Sequence, residues 1–299
     1  MWHIEHIKKT LIYYFEHSIL VNILSDKSFI RWKFRKEVGY TLNLKNPLSF
    51  NEKIQWLKFH EIHPEYSSLV DKELVKEFVK SKIGAAHVIK TINVWKTISD
   101  VNWDDLPNQF VLKSTADSGG VIVCKDKKHL NKEDAIKKLS KGLSQNYYKF
   151  YKEYPYKYLV PKIIAEEYIE NKDGELVDYK FYCFNGEPKY ILCASGRQKG
   201  DKRFDYFDLE WNHLPVHDKG CPGAYKIPQK PKNYERMIEI AQSLSEGLIH
   251  VRVDLYNVDG HIYFGEMTFF DGSGMSVYEP QEWDWIFGKY LKLPISNNE

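Results

Sequence analysis

The decisive stretch is Arg252-Val253-Asp254-Leu255-Tyr256-Asn257-Val258-Asp259-Gly260-His261-Ile262-Tyr263-Phe264-Gly265-Glu266-Met267-Thr268. It reads as two strands, Val251–Tyr256 and Ile262–Thr268, flanking a turn at Val258-Asp259-Gly260. Side chains alternate along a strand, so Val251, Val253 and Leu255 face one way and Arg252 and Asp254 the other. The turn length sets the register. With three residues in the loop and Gly260 left-handed, Asn257 opposes His261, Arg252 sits across from Glu266, and Asp254 lies diagonal to Glu266 on the same face. With only Asp259-Gly260 in the loop, Glu266 faces away and the site does not exist. The first register is the one expected. It sets two carboxylates side by side, an arrangement that repels unless a cation intervenes, and hard oxygen ligands with phosphates suit Mg²⁺. A plain Arg252–Glu266 salt bridge is the simpler alternative. Beyond the strands, Phe270-Asp271-Gly272-Ser273-Gly274-Met275 forms a loop at the metal end, with backbone donors for a second substrate.

Upstream, Asp178-Tyr179-Lys180 lies on a strand whose period of two puts Asp178, Lys180 and Tyr182 on one face, either an alternating polar edge or a lysine aimed at phosphate. Further upstream, Gln109–Lys113 is a short strand ending in Lys113, Ser114–Gly120 (S-T-A-D-S-G-G) is a loop, and Val121–Cys124 resumes as strand. Gly119 and Gly120 let backbone N–H groups approach an anion, and Ser114, Thr115 and Ser118 add hydroxyls. Many surface hairpins look like this, and the loop alone decides nothing. A strand over Lys162–Ile169, a hairpin turn at Asn185-Gly186, and helices from Asn131, over Pro231–Glu246 and near Glu282–Lys292 complete the second half. In the first half Ser49 and Glu52 form a capping box opening a helix through Phe59, and Asp71–Lys82 reads as a helix stopped by Gly84. Ile7, Leu11, Phe15, Ile19 and Ile23 make an amphipathic stripe over Ile7–Leu24, expected to pack on its own protein rather than on a membrane surface. Hairpins and helices in this order indicate an α+β fold.

Composition narrows the function. Hydrophobic residues are 43% and charged residues 28% of the 299, which excludes a disordered or fibrous chain. A formal net charge of +2 is too balanced for a nucleic-acid binder, although the front of the chain is basic and the tail acidic. Cys124, Cys183, Cys193 and Cys221 make no C-x-x-C pair, so reduced, buried thiols of a cytoplasmic protein are expected. No run is long and apolar enough for a membrane span, and no signal-peptide pattern appears. There is no G-x-x-x-x-G-K-[ST], H-R-D or D-F-G, which disfavours P-loop enzymes and protein kinases. The absence of any Asp-x-Asp counts against a metal-dependent glycosyltransferase, the competing reading for capsule or lipopolysaccharide synthesis.

Taken in order, Asp71-Lys72, Lys113 with its glycine loop, Glu166-Glu167-Tyr168-Ile169, Lys180, Arg252-x-Asp254, Glu266-x-Thr268 and the glycine loop after it resemble an ATP-grasp enzyme over about residues 70–278. Leu42–Lys58 (L-N-L-K-N-P-L-S-F-N-E-K-I-Q-W-L-K) and Phe264-Gly265-Glu266-Met267-Thr268 are similar to the TupA-like branch, associated with teichuronopeptide and surface-polysaccharide synthesis. The resemblance implies two α+β lobes clasping ATP: a helical extension over 1–70, a small lobe over 71–160 and a large lobe over 161–299. It implies Lys113 and Lys180 on the phosphates, Ser118, Gly119 and Gly120 as a cover, and Glu166, Glu167, Tyr168 and Ile169 as the adenine hinge. Asp173 or Asp178 would reach the ribose. Asp254 and Glu266 would hold Mg²⁺, with Thr268 where the superfamily usually has Asn, and Arg252 would act in catalysis. Asp271, Gly272, Ser273 and Gly274 would meet the second substrate. The implied reaction joins a carboxylate, on a uronic acid or amino acid, to an amine through an acyl phosphate with release of ADP, inside the cell and near the membrane or a lipid-linked glycan.

Overall fold

The computed structural model describes residues 24–117, 119–172, 176–196 and 200–295. Ser118, Asp173 and all but the last residue of the Ile7–Leu24 stripe lie outside the described residues.

Two sheets organise the chain. The smaller contains β1 (Thr91–Trp95), β2 (Phe110–Ser114), β3 (Ile122–Cys124) and β4 (Ile163–Glu166), in the antiparallel order β1-β4-β2-β3. The larger contains β5 (Asp178–Phe184), β6 (Glu187–Ser195), β7 (Arg203–Asp208), β8 (His213–Leu214), β10 (His250–Val258) and β11 (His261–Thr268), in the order β11-β10-β5-β6-β7-β8. A short pair, β9 (His217–Asp218) with β12 (Tyr278–Glu279), stands beside it. Helices packed on antiparallel sheets make this an α+β fold, the class expected.

Each sheet has its own core. On the smaller, the helix Lys132–Ser144, N-capped by Asn131, buries Ala135 and Leu139 with Phe110, Leu112, Ile122 and Ile163. On the larger, the helix Tyr234–Ser245 lays Met237, Ile240, Ala241 and Leu244 against one face, the i, i+3, i+4, i+7 spacing of a buried stripe. The opposite face carries Tyr182, Tyr190 and Tyr206, covered by Phe50 and Phe287 from the helices Phe50–His60 and Trp283–Gly288. With both faces covered, β5 is buried at all seven positions, its Asp178 and Lys180 included.

The boundary expected at residue 160 falls just before β4, which lies inside the smaller sheet between β1 and β2. The helix Val75–Ile83 sends Val75 and Val79 into the larger core instead. The capping box of Phe50–His60 is present: the Ser49 hydroxyl accepts from Glu52 N at 3.2 Å while Glu52 Oε2 accepts from Ser49 N at 3.3 Å. Cys124, Cys183 and Cys193 are buried free thiols and Cys221 is half-buried. Among the described residues no helix is long and apolar enough to cross a membrane.

Candidate active site

The site is built on the β10–β11 hairpin, and its register differs from the expected one. The loop is the two-residue Asp259-Gly260, with φ of 53° and 99°, so Val258 opposes His261 and Asn257 opposes Ile262. Carried straight along the strand, that register would turn Glu266 toward the core with Val253. A β-bulge prevents it: the pairs Leu255–Phe264 and Asp254–Glu266 leave Gly265 without a partner, and the extra residue restores the face. Glycine suits the position because a Cβ there would lie 3.0 Å from the Asp254 carbonyl oxygen and 3.2 Å from the Tyr256 ring. Glu266 therefore sits directly across from Asp254, and Arg252 across from Thr268 rather than from Glu266. A two-residue turn does not abolish the site, because the bulge compensates for it.

Two rows of side chains then cross three strands: Glu266, Asp254 and Lys180 in one, Thr268, Arg252 and Tyr182 in the next. Lys180 Nζ donates to Asp254 and lies 2.6 Å from Asp178 Oδ2. Arg252 grips Asp254 through Nε at 2.7 Å and Nη2 at 2.8 Å, reaches Glu266 Oε1 and Thr268 Oγ1 at 3.1 Å each, and donates to Asp271. Tyr182 closes the network with a 2.6 Å hydrogen bond to Asp271. Burial, with Asp178 and Glu266 nearby, pushes Asp254 up to about 6 against the pull of Arg252 and Lys180. Burial acts on Glu266 too, but Lys72, Lys180 and Arg252 outweigh it and hold that carboxyl far below the usual range. Four carboxylates, of Asp178, Asp254, Glu266 and Asp271, thus face the three cations Lys180, Arg252 and Lys72. The excess of negative charge and the all-oxygen donor set fit a magnesium ion. Among the described residues no group of three or more His, Cys, Asp and Glu is placed to hold a metal by itself, so phosphate oxygens would have to complete the shell.

The smaller sheet presents the other half. Lys113, at the end of β2, places Nζ 2.5 Å from Glu166 Oε2, while Lys76 Nζ lies 2.6 Å from Glu166 Oε1. Burial works to raise the Glu166 pKa, but the two lysines more than offset it. Both Glu166 oxygens are thus engaged, and the strand ends there, with the expected hinge residues following it. Glu167 donates its N–H to Lys90 O at 3.0 Å, Tyr168 bonds Glu170 at 2.7 Å, and Ile169 is half-buried. In the loop after β2, Asp117 Oδ2 accepts from Gly120 N at 3.0 Å.

Two lysines hold places that the sequence reading did not assign: Lys72 was named there only as part of Asp71-Lys72 with no role, and Lys76 not at all. Lys72 donates to the Asp117 carbonyl at 2.8 Å and lies 3.5 Å from Glu266 Oε2, joining the glycine loop of one lobe to the carboxylate pair of the other. Lys76, one helical turn on, neutralises Glu166. Their i, i+4 spacing at the start of a helix was the available signal, but it is also that of an ordinary solvated face.

The loop after β11 is held from far away in sequence. Gly272, Ser273 and Gly274 are all left-handed, with φ of 52°, 55° and 58°. Gln55 Nε2 donates to the Ser273 and Gly274 carbonyls at 2.8 and 2.7 Å, and Lys58 Nζ to Ser273 O at 2.7 Å. Asn51 exchanges bonds with Ser276, its side chain donating to the carbonyl at 2.8 Å and accepting from the N–H at 3.1 Å. Asn51, Gln55 and Lys58 share one face of the helix Phe50–His60. A Cβ on Gly274 would come within 2.7 Å of Ile54 and 2.8 Å of Gln55, so helix and loop fit only with glycine there.

The smaller sheet thus carries Lys113 and the glycine loop, the larger carries Asp254, Glu266 and Arg252, and Lys72 joins the two. The chain belongs to the TupA-like ATP-grasp family, whose sequence model matches residues 52–292. No curated protein matches it. Among solved structures it is similar to D-alanine–D-alanine ligase from Helicobacter pylori, at 16% identity over 81% of this chain and 69% of that one, with a TM-score of 0.43. It is also similar to the D-cycloserine synthetase DcsG, at 14% identity over 92% and 97%, TM-score 0.43. Against the Bacillus anthracis D-alanine–D-alanine ligase complexed with ATP the identity is 15% and the TM-score 0.38, covering 67% of this chain and about half, 53%, of that ligase.

Proposed function

We propose that this protein is an ATP-dependent ligase that phosphorylates a carboxylate and joins it to an amine, releasing ADP. The observation carrying this reading is the row Glu266–Asp254–Lys180 beside Arg252, linked through Lys72 to the loop that follows Lys113. In this reading Lys113 and Lys180 bind the phosphates, with Ser118, Gly119 and Gly120 as cover. Lys76 stays on Glu166 when Lys113 turns to a phosphate, so the buried carboxylate keeps a partner. Glu166, Glu167, Tyr168 and Ile169 frame the adenine, and Asp178 the ribose. Asp254, Glu266 and Thr268 hold Mg²⁺, which when bound neutralises charge on the triphosphate. Arg252, already fixed by three carboxylates, is preorganised for the charge that develops as the amine attacks. Asp271, Gly272, Ser273 and Gly274 position the second substrate.

The substrate class follows the family's association. The carboxylate belongs to a uronic acid or an amino acid destined for bacterial surface polysaccharide, and the need for ATP puts the reaction in the cytoplasm, at or near the membrane face where lipid-linked glycans are built. Incubation with ATP, Mg²⁺ and a panel of uronic acids, amino acids and amines tests this. ADP release dependent on both a carboxylate and an amine is expected. Release of AMP, or a larger thermal shift from nucleotide sugars than from ATP with Mg²⁺, overturns it.

A further inference from the structure

Asp218, on β9, has no part in the chemistry above, yet it stands over the same face of the larger sheet. The row Glu266–Asp254–Lys180 runs on through Leu192 to Tyr206, whose hydroxyl donates to Asp218 Oδ1 at 2.8 Å. The next row, Thr268–Arg252–Tyr182, runs on to Tyr190, and there the Tyr182 hydroxyl donates to Asp271. Two neighbouring tyrosines thus each carry a carboxylate. The backbone ties the two carboxylates together as well. Tyr278 of β12 pairs with Asp218, and Lys219 N donates to Val277 O at 2.8 Å, so β9 is anchored to the segment that follows the Asp271–Gly274 loop.

The two acids differ in what holds them. Arg252 and Tyr182 engage both oxygens of Asp271 and, against burial, keep its carboxyl below the usual range. Asp218 is half-buried, and among the described residues its Oδ2 accepts no hydrogen bond. Burial, with Asp271 nearby, pushes Asp218 up to about 6 against the pull of the Tyr206 hydroxyl, Lys202 and Arg252. His217 beside it turns to Glu279, 3.2 Å away. A second observation marks the same place. The hydroxyls of Tyr190 and Tyr278, both side chains 1% exposed, have no hydrogen-bond partner among the described residues, and both lie in the field of Asp218 and Asp271. A buried hydroxyl left so costs about 1–3 kcal/mol. A group with several donors, as a primary ammonium is, satisfies the free carboxylate oxygen and the hydroxyl oxygens together.

We propose that Asp218 is a catalytic residue of the amine half of the reaction: its Oδ2 seats the ammonium group of the second substrate and takes one proton from it before attack. The proposal rests on the ligase reading, in which the Asp271–Gly274 loop meets the second substrate. The ammonium gives one proton to Asp218, and the freed nitrogen lone pair forms the C–N bond at the carbonyl carbon of the acyl phosphate. The bond from that carbon to the phosphate oxygen breaks, and the departing phosphate carries off the second proton as the amide forms. A carboxylate whose affinity for a proton is raised suits this transfer better than Asp271, whose oxygens are already committed.

The test compares two acceptors for the same activated carboxylate, on the full chain with ATP and Mg²⁺: the amines of the panel above, which are ammonium ions at neutral pH, and hydroxylamine, which is neutral there and attacks without first losing a proton. Asp218→Asn can still accept from Tyr206, so the fold is kept, and thermal unfolding checks it. In this variant the ratio of amide to hydroxamate formation falls at least about 100-fold, the span of a lost general base. Lost packing alone lowers both products together and leaves the ratio unchanged. An unchanged ratio therefore overturns the role of Asp218, as does wild-type enzyme that forms hydroxamate but no amide with any ammonium-bearing amine. Wild-type enzyme that forms neither product with any carboxylate of the panel instead overturns the ligase reading, and this assignment with it.

Discussion

Gly265→Ala tests the feature on which the site depends. The added Cβ would stand 3.0 Å from the Asp254 carbonyl oxygen and 3.2 Å from the Tyr256 ring. The oxygen belongs to backbone paired on both sides, to β5 and to β11, and cannot step back cheaply. Overpacking of this kind costs about 1–3 kcal/mol, against which the loss of glycine's freedom in the unfolded chain returns about 0.4–1 kcal/mol. The net is a destabilisation of about 1–2 kcal/mol, a fall in Tm of about 2–3 °C for a chain of this size. The strain falls on the Asp254–Glu266 pair, so affinity for ATP in the presence of Mg²⁺ falls by at least about tenfold, roughly 1.4 kcal/mol. Deleting Gly265 is the informative control. It removes the unpaired residue and leaves Glu266 opposite Asp254 in an unbroken ladder, so the deletion keeps the face and binds Mg·ATP more tightly than the alanine variant. Thermal unfolding and calorimetric titration read both effects. An alanine variant with wild-type Tm and wild-type Mg·ATP affinity would refute the bulge argument.

Glu266→Gln, at a side chain 28% exposed, should leave the fold intact and lower Mg²⁺-dependent turnover at least about 100-fold, whereas Asp254→Asn should also cost about 3 kcal/mol in urea unfolding because it strips charge from a carboxylate buried against Arg252 and Lys180; wild-type turnover in either removes the metal assignment. Lys113→Ala should weaken ATP binding about tenfold or more while Lys76 keeps Glu166 paired, and unchanged affinity would take Lys113 off the phosphates. His250 is buried, and burial pushes it down to about 4. In the unfolded chain it protonates near about 6.5 while the folded chain stays neutral, so lowering the pH through that window costs up to about 3 kcal/mol of stability, with no further loss from this group below about 4. His250→Gln should flatten that part of the stability–pH curve, and an unaltered slope would show that another group carries it.

Local signals were legible where neighbours in sequence are also neighbours in space. The Ser49–Glu52 capping box, the Asn185-Gly186 turn and the β5 strand at Asp178–Phe184 each depend on contacts within a few residues, and each is found where expected. The order of charged and glycine-rich motifs carried the family resemblance because a family shares one chain topology, which fixes where along the sequence each element brings its groups.

Register, charge pairing and loop support were decided only by the tertiary structure. Whether Glu266 faces Asp254 depends on one unpaired glycine, and alternation cannot reveal a bulge because an inserted residue looks like any other. Glu166 reads as a free hinge carboxylate until Lys76 and Lys113 arrive from a separate helix and strand. Gln55 grips Ser273 across 218 residues of sequence, and no local pattern encodes that hold, since it exists only once the helix has packed against the sheet. The sequence alone thus determined which chemical groups the protein owns and the order in which they come, because propensity and alternation act between neighbours. Which of those groups meet was left to the packing of two cores, because burial brings distant residues together and burial is settled by the whole chain.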